Sequence, residues 1–161
     1  MNTETLIVLL TIGKTKKSFL SEGIEKYLLK INYYTNLESV EIDNVKFSKK
    51  ISESELIKRE GELIISKVTS LDYLILLDEK GKEYSSINFS KKLNSWMLLS
   101  KKRLVFIVGG AYGVSEDIYS RVDETLSLSK MTFSHQMVRL FFLEQLYRSY
   151  TILNNNPYHN E

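Results

Sequence analysis

Hydroxyl, amine and imidazole groups are concentrated at one predicted strand-to-helix junction near the end of the chain. The stretch LSLSKMTFSHQ places there the side chains of Ser127, Ser129, Lys130, Thr132, Ser134 and His135. Such a junction offers free backbone amides at a helix N-terminus beside hydroxyl groups, which is a favourable setting for a polar ligand. The alternative is that Ser129 or Thr132 simply caps the helix by accepting a hydrogen bond from an amide of its first turn.

One face of the predicted last helix carries two further candidates for chemistry, His135 and Arg139. Side chains four residues apart are neighbours on a helix, so both could be directed at one site. Histidine also titrates near neutral pH and can move a proton, although a lone helical histidine is more often structural. We therefore expect the pair to orient a ligand if the junction is a site.

Two further stretches follow predicted strands and contain residues that bind ligands or form turns. GGAYG, at 109–113, lets the backbone turn tightly and approach a ligand closely. It is neither G-x-G-x-x-G nor a Walker loop, and a strand-to-helix turn that needs positive φ is the alternative. LDEKGKEYSS, at 77–86, is interpreted as a solvated turn. No histidine lies at metal-ligand spacing from its acidic residues, so we do not expect a transition-metal site.

The C-terminal stretch PYHNE, at 157–161, brings an aromatic ring and a titratable ring together in Tyr158 and His159. A nucleobase can stack on a tyrosine, and a histidine can exchange a proton near neutral pH. The alternative is a frayed terminus without a role.

Strand-like and helix-like segments alternate five times along the chain. The predicted strands are 5–12, 37–42, 71–78, 103–110 and 125–129. The predicted helices are 14–30, one opened by Ser52 and Glu55 at capping-box spacing, one from Ser85 or Ser86 to about 99, a short one capped by Ser115, and 133–153. This alternation predicts an α/β fold, with a single three-layer domain over 1–161 and a mainly parallel sheet. Ligands in such folds bind beyond the carboxyl ends of the strands, where all three loop stretches fall.

The composition is that of an ordinary globular domain. Of 161 residues, 43% are apolar and 26% are charged, and the net charge of +2 gives no strong indication of a nucleic-acid partner. The chain has no cysteine, which excludes disulfides, thiolate metal sites and a cysteine nucleophile and fits a reducing cytosol. The apolar run 6–10 is too short to span a bilayer. We therefore expect a cytoplasmic protein without a membrane segment.

Taken together, these stretches resemble the ribosomal large-subunit methyltransferase H family, within the SPOUT class of knotted S-adenosylmethionine-dependent RNA methyltransferases. The matching pieces occur in the family's order and cover nearly the whole chain: TIGKTKKSF, LDEKGKEYSS, FIVGGAYGVS, LSLSKMTFSHQMVR, LEQLYRSYTIL and PYH. The resemblance implies a SPOUT-like α/β domain with a C-terminal trefoil knot, and a homodimer.

The resemblance also implies an activity and a set of site residues. The activity is transfer of a methyl group from S-adenosyl-L-methionine to N3 of a pseudouridine in helix 69 of 23S rRNA, with the assembled ribosome as substrate and without a metal. Carried over by motif, the cofactor contacts fall at Leu77, Gly109, Leu128, Ser129, Lys130, Met131, Thr132 and Phe133.

Two pairs of side chains are candidates for catalysis. His159 is the first candidate for contact with the target base, with Tyr158 stacking on it, and His135 with Arg139 is the second pair, orienting substrate or cofactor. The sequence leaves the general base unassigned. The candidates for contact with RNA phosphates are Lys14, Lys16, Lys17 and Arg148.

Two other classes of function compete with this interpretation. Asn154 and Asn155 stand where the family usually has Arg–Gly, and the chain ends in Asn160 and Glu161. This altered tail leaves room for a non-enzymatic RNA- or ribosome-binding module that keeps the fold. A dinucleotide- or phosphate-using α/β enzyme is the third class, but the first turn, IGKTKK, lacks the glycine fingerprint that it needs.

Overall fold

Strands and helices alternate along the chain in the computed structural model, which describes residues 5–46 and 50–160. The strands are β1 (Leu6–Ile12), β2 (Leu37–Ile42), β3 (Asp72–Glu83), β4 (Arg103–Val108) and β5 (Glu124–Ser127). The helices are α1 (Phe19–Asn32), α2 (Glu53–Ser66), α3 (Ser86–Met97), α4 (Glu116–Arg121) and α5 (His135–Leu153). Glu161, part of the predicted tail, lies outside the described residues.

The strands form one parallel sheet in the order β2-β1-β4-β3-β5. Successive residues of a strand point to opposite faces, and in β4 Phe106 packs with α1, α3 and α5 while Ile107 packs with α2 and α4. Both faces of the central strands are therefore covered, which explains why these strands are apolar throughout. The predicted three-layer α/β fold with a parallel sheet is confirmed, and the knot stays a prediction.

The prediction that 77–86 forms a solvated turn is wrong for much of this stretch, because β3 continues to Glu83. After a register shift beyond Leu77, Lys82 and Glu83 pair with Leu126 and Ser127 of β5. Gly81 makes the second pairing possible, since a Cβ at this position would lie 2.8 Å from the backbone nitrogen of Leu126. The strand pairs through backbone atoms, whatever its side chains are. Its charged residues therefore gave no sequence signal for a strand.

The helix starts differ from the predictions at both ends of the chain. Helix α1 begins at Phe19 rather than at 14, because Ser18 and Ser21 form a capping box. Helix α5 begins at His135, and its cap is Ser134, whose hydroxyl accepts a hydrogen bond from the amide of Met137 at 3.2 Å. The alternative that Ser129 or Thr132 caps this helix is therefore wrong, and both hydroxyls have other partners.

Two further cap predictions have opposite outcomes. Ser52 caps α2, with its hydroxyl accepting from the amide of Glu55 at 3.2 Å. Ser115 occupies the cap position of α4 but makes no capping bond with its side chain. No helix in the described ranges is long and apolar enough to cross a membrane.

Candidate functional site

Three segments converge at the carboxyl edge of the sheet and enclose a cleft of about 710 Å³. They are the middle of β3 (76–80), the loop after β4 (108–114) and the segment from β5 into α5 (126–138). They meet because β3 lies between β4 and β5, so the segments that follow β4 and β5 flank the part of β3 where the register shifts. This is the position at which open α/β sheets bind ligands.

Most of the side chains assigned to a cofactor line this cleft. The lining residues that the sequence singled out are Leu77, Gly109, Leu128, Ser129, Met131, Thr132, Phe133 and His135. Lys130, Arg139, Tyr158 and His159 are not among the residues that line it. The three stretches therefore meet at one cleft, and of the two candidate catalytic pairs only His135 lines it.

The 128–134 segment is held in shape by its own hydroxyls. Ser127 donates a hydrogen bond to the carbonyl of Ser129 at 2.9 Å, and the hydroxyl of Ser129 accepts from the amide of Met131 at 3.0 Å. Thr132 donates to the carboxylate of Glu79, which ties this segment to β3. The serines and the threonine therefore fix the backbone that forms one wall of the cleft.

Acidic groups stand at the β3 side of the cleft. The hydroxyl of Tyr119 donates to Asp78 at 2.7 Å, and Asp78 also accepts from the amide of Lys80 at 3.0 Å. Burial and the bond to Asp78 raise the pKa of Tyr119 to about 12, so this hydroxyl stays protonated and remains a donor at neutral pH. Asp78 and Glu79 outnumber Lys80 on this wall, so its net negative charge suits a cationic ligand.

Glycines form the opposite wall, in the loop after β4. A Cβ at Gly109 would lie 2.6 Å from Cγ1 of Val114, and a Cβ at Gly110 would lie 2.6 Å from Oε2 of Glu60. Gly113 has a φ of +90° and donates its amide to the carbonyl of Gly110 at 3.2 Å. The positive-φ turn is therefore present at Gly113, and the cleft is lined by backbone at Gly109 and Gly110.

Glu60 packs against the loop after β4, at Gly110. No sequence pattern indicated this contact. Glu60 lies on α2, is 7% exposed, and has no hydrogen bond or ion pair to any residue in the described ranges. Next to Glu60, Gly61 lets Ser115 approach closely. The hydroxyl of Ser115 is buried and has no hydrogen-bond partner among the described residues. Burial raises the pKa of Glu60, since it penalises the charged form.

We expect Glu60→Gln to raise the free energy of unfolding at pH 8 by about 1 kcal/mol, because the ionised carboxylate loses more favourable hydration on burial than the neutral amide does. A carboxyl group with a raised pKa in the folded state stabilises the fold at low pH and loses that contribution as the pH rises. The amide of the variant has no such loss. Urea unfolding of both proteins from pH 4 to pH 8 measures the difference, and a gap that does not narrow toward pH 4 would contradict the prediction.

His135 and Arg139 do not meet at one site, although they share a helix. His135 lines the cleft, and burial lowers its pKa, with smaller contributions from Arg139 and Lys16. Arg139 is 1% exposed, and its guanidinium donates to the carbonyl of Ile12 at 2.7 Å and to that of Gly13 at 2.8 Å. It also donates to the backbone carbonyl of His135 at 3.2 Å, but it does not reach the cleft, so the structure corrects the expected shared direction.

Further partners of Arg139 lie in β2 and in the segment after β1. Its guanidinium donates to the hydroxyl of Thr15 at 3.1 Å and to Oε2 of Glu41 at 3.3 Å. Gln136 acts beside it, donating to the carbonyl of Lys14 and accepting from the amide of Lys16, both at 3.2 Å. The first turn of α5 therefore holds the lysine-bearing segment in place, which no sequence pattern indicated.

The C-terminal tail is ordered along α5, in contrast to the frayed alternative. Tyr158 donates to Oε1 of Glu144 at 3.0 Å, and Nδ1 of His159 lies 3.1 Å from a guanidinium nitrogen of Arg148. The ring of Tyr158 packs edge-on against Tyr147, with centroids 4.8 Å apart. Arg148, a candidate for phosphate contact, also pairs with Glu144 at 2.6 Å. The tail is therefore fixed by contacts with α5, outside the cleft.

Residues 5–46 and 50–160 contain no cluster of three or more acidic or histidine side chains that could hold a metal ion.

Comparison with known proteins gives full-length matches. The chain matches the family described as "Predicted SPOUT methyltransferase" over residues 6–159. It is 50% identical over 155 residues to a protein of Parabacteroides distasonis and to one of Flavobacterium johnsoniae, with 96% of this chain and 99% of each relative covered. Both relatives are named "Ribosomal RNA large subunit methyltransferase H". A solved structure titled "Crystal structure of an hypothetical protein" aligns with a TM-score of 0.51 at 14% identity, covering 95% of this chain and 70% of that one, which supports the fold alone.

Proposed function

The chain belongs to the SPOUT methyltransferase family, with relatives named ribosomal RNA large subunit methyltransferase H, and from that premise we propose that it methylates large-subunit rRNA. The observation that carries the proposal is the convergence of the 76–80, 108–114 and 126–138 segments on one cleft. The donor we propose is S-adenosyl-L-methionine. The acceptor we propose is N3 of a pseudouridine in helix 69 of 23S rRNA on the assembled ribosome, in the cytoplasm.

The residues of the cleft fit this donor. Leu77, Leu128 and Val138 supply apolar surface for a purine ring, and Gly109 lines the cleft without a side chain. Asp78 and Glu79 on the β3 wall complement a cation. When bound, S-adenosylmethionine supplies an electrophilic methyl group whose bond electrons remain on sulfur as the acceptor nitrogen forms the new bond.

The protein's own contribution is positioning together with removal of a proton. The N3–H proton of the base must leave as the nitrogen is methylated, and a nearby base or positive charge assists this step. His135 stands at the cleft with a lowered pKa, so it is neutral near pH 7 and able to accept a proton. His159 remains our first candidate for contact with the base, with Tyr158 stacking on it.

The candidate RNA contacts lie next to this site. Gln136, next to His135, and Arg139 bind the segment after β1 to the start of α5. This segment carries Lys14, Lys16 and Lys17. Lys16 is close enough to His135 to influence its pKa. We propose that these lysines contact rRNA phosphates, where each neutralised phosphate makes binding more salt-dependent.

A homodimer is the proposed assembly. Helix α1 and its cap expose large apolar side chains at Phe19, Leu29 and Tyr33. Exposed apolar surface of this kind marks association sites in soluble proteins. The exposed face of α1 is therefore our candidate interface between two copies of the chain.

We expect His159→Ala to lower methyl transfer to ribosomes by roughly 10²-fold, the loss expected when the target base is displaced by about 1 Å. Its affinity for S-adenosylmethionine should stay unchanged, because His159 lies outside the cleft. Transfer of labelled methyl groups to intact ribosomes and to naked rRNA measures the activity, and calorimetry measures the affinity. Asn160→Ala, at the next tail position, is the control.

The possible outcomes separate the competing functions. Unchanged turnover in His159→Ala would remove that histidine from the mechanism. Cofactor binding by the unmodified protein without methyl transfer to any ribosomal substrate would favour the non-enzymatic module instead.

A further inference from the structure

A second, smaller hollow of about 250 Å³ adjoins the cleft, between α3 and α5. Leu126, Leu128 and Phe133 line both cavities. A ligand in the hollow and a ligand in the cleft would therefore lie beside one another, along the edge that these three side chains share. Two reactants that exchange a group must lie in this kind of contact.

Aromatic rings form much of the hollow's surface. Tyr84 and Phe89 contribute from the α3 side, and Phe133 and Phe141 contribute from the α5 side. The rings of Phe133 and Phe141 are 5.0 Å apart at 48°. Enzymes that modify a base take it out of the stack and hold it between aromatic or apolar side chains. The hollow offers such side chains on both sides.

Hydrogen-bonding groups stand at one end of the hollow. Ser86 donates to Oε1 of Gln145 at 2.8 Å, and Nε2 of Gln145 donates to Oε2 of Glu144 at 3.0 Å. An amide that carries a second N–H and a carboxylate beside it can meet the alternating donors and acceptors of a uracil-type edge. An aromatic cavity with a few polar groups at one end has the composition of a small-molecule site.

The C-terminal tail reaches the rim of the same hollow. Glu144 lines the hollow and also binds Tyr158 at 3.0 Å and Arg148 at 2.6 Å. Arg148 in turn holds His159. The hollow thus lies between the cleft and the tail residues that were expected to contact a base.

We infer that the hollow receives the target base: a pyrimidine base of RNA, extruded from its loop and stacked beside Phe141, with one polar edge toward Glu144 and Gln145 and its methyl-accepting nitrogen toward the cleft. This inference rests on the proposed function, since it places the acceptor next to the cleft for the methyl donor. It adds a base subsite and a wall residue, Phe141, that the sequence did not single out for chemistry.

Ultraviolet crosslinking of the protein to ribosomes tests the location directly. Irradiation at a wavelength absorbed by the bases, followed by digestion and mass spectrometry, identifies the peptides that carry a nucleotide. We expect adducts within 84–89 or 141–145. Adducts confined to other peptides, or none at all, would overturn the inference.

The same preparations are assayed for methyl transfer, which separates the two proposals. Methylation with adducts elsewhere leaves the proposed function standing and removes the base subsite. Adducts in the hollow without methylation support the subsite and count against the proposed activity.

A pair of variants tests the role of the aromatic wall. Phe141→Ala should lower single-turnover methyl transfer at subsaturating ribosomes by roughly tenfold to hundredfold, as expected for loss of a ring that stacks on a base. Its affinity for S-adenosylmethionine and its melting temperature should match those of Leu153→Ala, since Phe141 is 39% exposed and Leu153 is 38% exposed on the same helix. Equal transfer rates in the two variants would contradict a stacking role.

Discussion

Replacement of Arg139 by methionine is expected to lower the free energy of unfolding by about 3–5 kcal/mol, the cost of removing one partner from a buried ionic group. The guanidinium is 1% exposed and donates to the carbonyls of Ile12 and Gly13 at 2.7 and 2.8 Å. Methionine keeps the unbranched apolar stem of the side chain but leaves both carbonyls and Glu41 without this donor. Urea unfolding monitored by circular dichroism measures the loss.

Arg59→Met is the matched control for this prediction. Arg59 also pairs with a carboxylate, Glu55 at 3.0 Å, but its side chain is 45% exposed. Exposed helical pairs of this kind contribute less than about 1 kcal/mol. Equal losses in the two variants would show that Arg139 contributes no more than a surface ion pair. Because Arg139 does not line the cleft, the folded fraction of its variant should still bind S-adenosylmethionine.

The second large effect is expected at the glycine wall. Gly109→Val should weaken binding of S-adenosylmethionine by roughly tenfold to hundredfold, because an added side chain in a packed site forces backbone shifts that cost about 1–3 kcal/mol. A Cβ at Gly109 would meet Val114 at 2.6 Å and the carbonyl oxygen of Gly113 at 3.2 Å. Both neighbours form the wall of the cleft, so the displacement falls on the ligand site. Isothermal titration gives the affinity.

Gly23→Val controls for the general cost of crowding. A Cβ there would lie 2.9 Å from Cδ1 of Leu140, between α1 and α5 and away from the cleft. We expect a comparable loss of stability in the two variants and a loss of affinity only at Gly109. Unaltered binding by the folded Gly109 variant would show that the loop after β4 is not a wall of the donor site.

The order and type of the elements were predictable because their signals are local. Apolar runs bounded by glycines and serines indicated the buried strands, and Ser52 marked the start of α2 through its spacing to Glu55. The convergence of three loops followed from a general rule for parallel sheets rather than from any single residue. The resemblance to a family supplied the assignments within those loops.

The features that were missed depend on contacts between distant segments. The extension of β3 through charged residues is visible only when β5 is placed beside Gly81. The separate directions of His135 and Arg139 depend on where β1 ends, which helical spacing cannot show. Glu60 gave no sequence signal, since its position behind Gly110 arises from packing of α2 on the sheet.

The hydrogen bonds between α5 and the segment after β1 have a consequence for biosynthesis. The bonds between this segment and Gln136 or Arg139 join residues 120 to 126 positions apart. The N-terminal part of a chain leaves the ribosome first. The backbone at Lys14, Lys16 and Lys17 can therefore be fixed only after almost the whole polypeptide has been synthesised. A nascent chain should therefore reach the proposed RNA-binding arrangement of these lysines only near the end of its own translation.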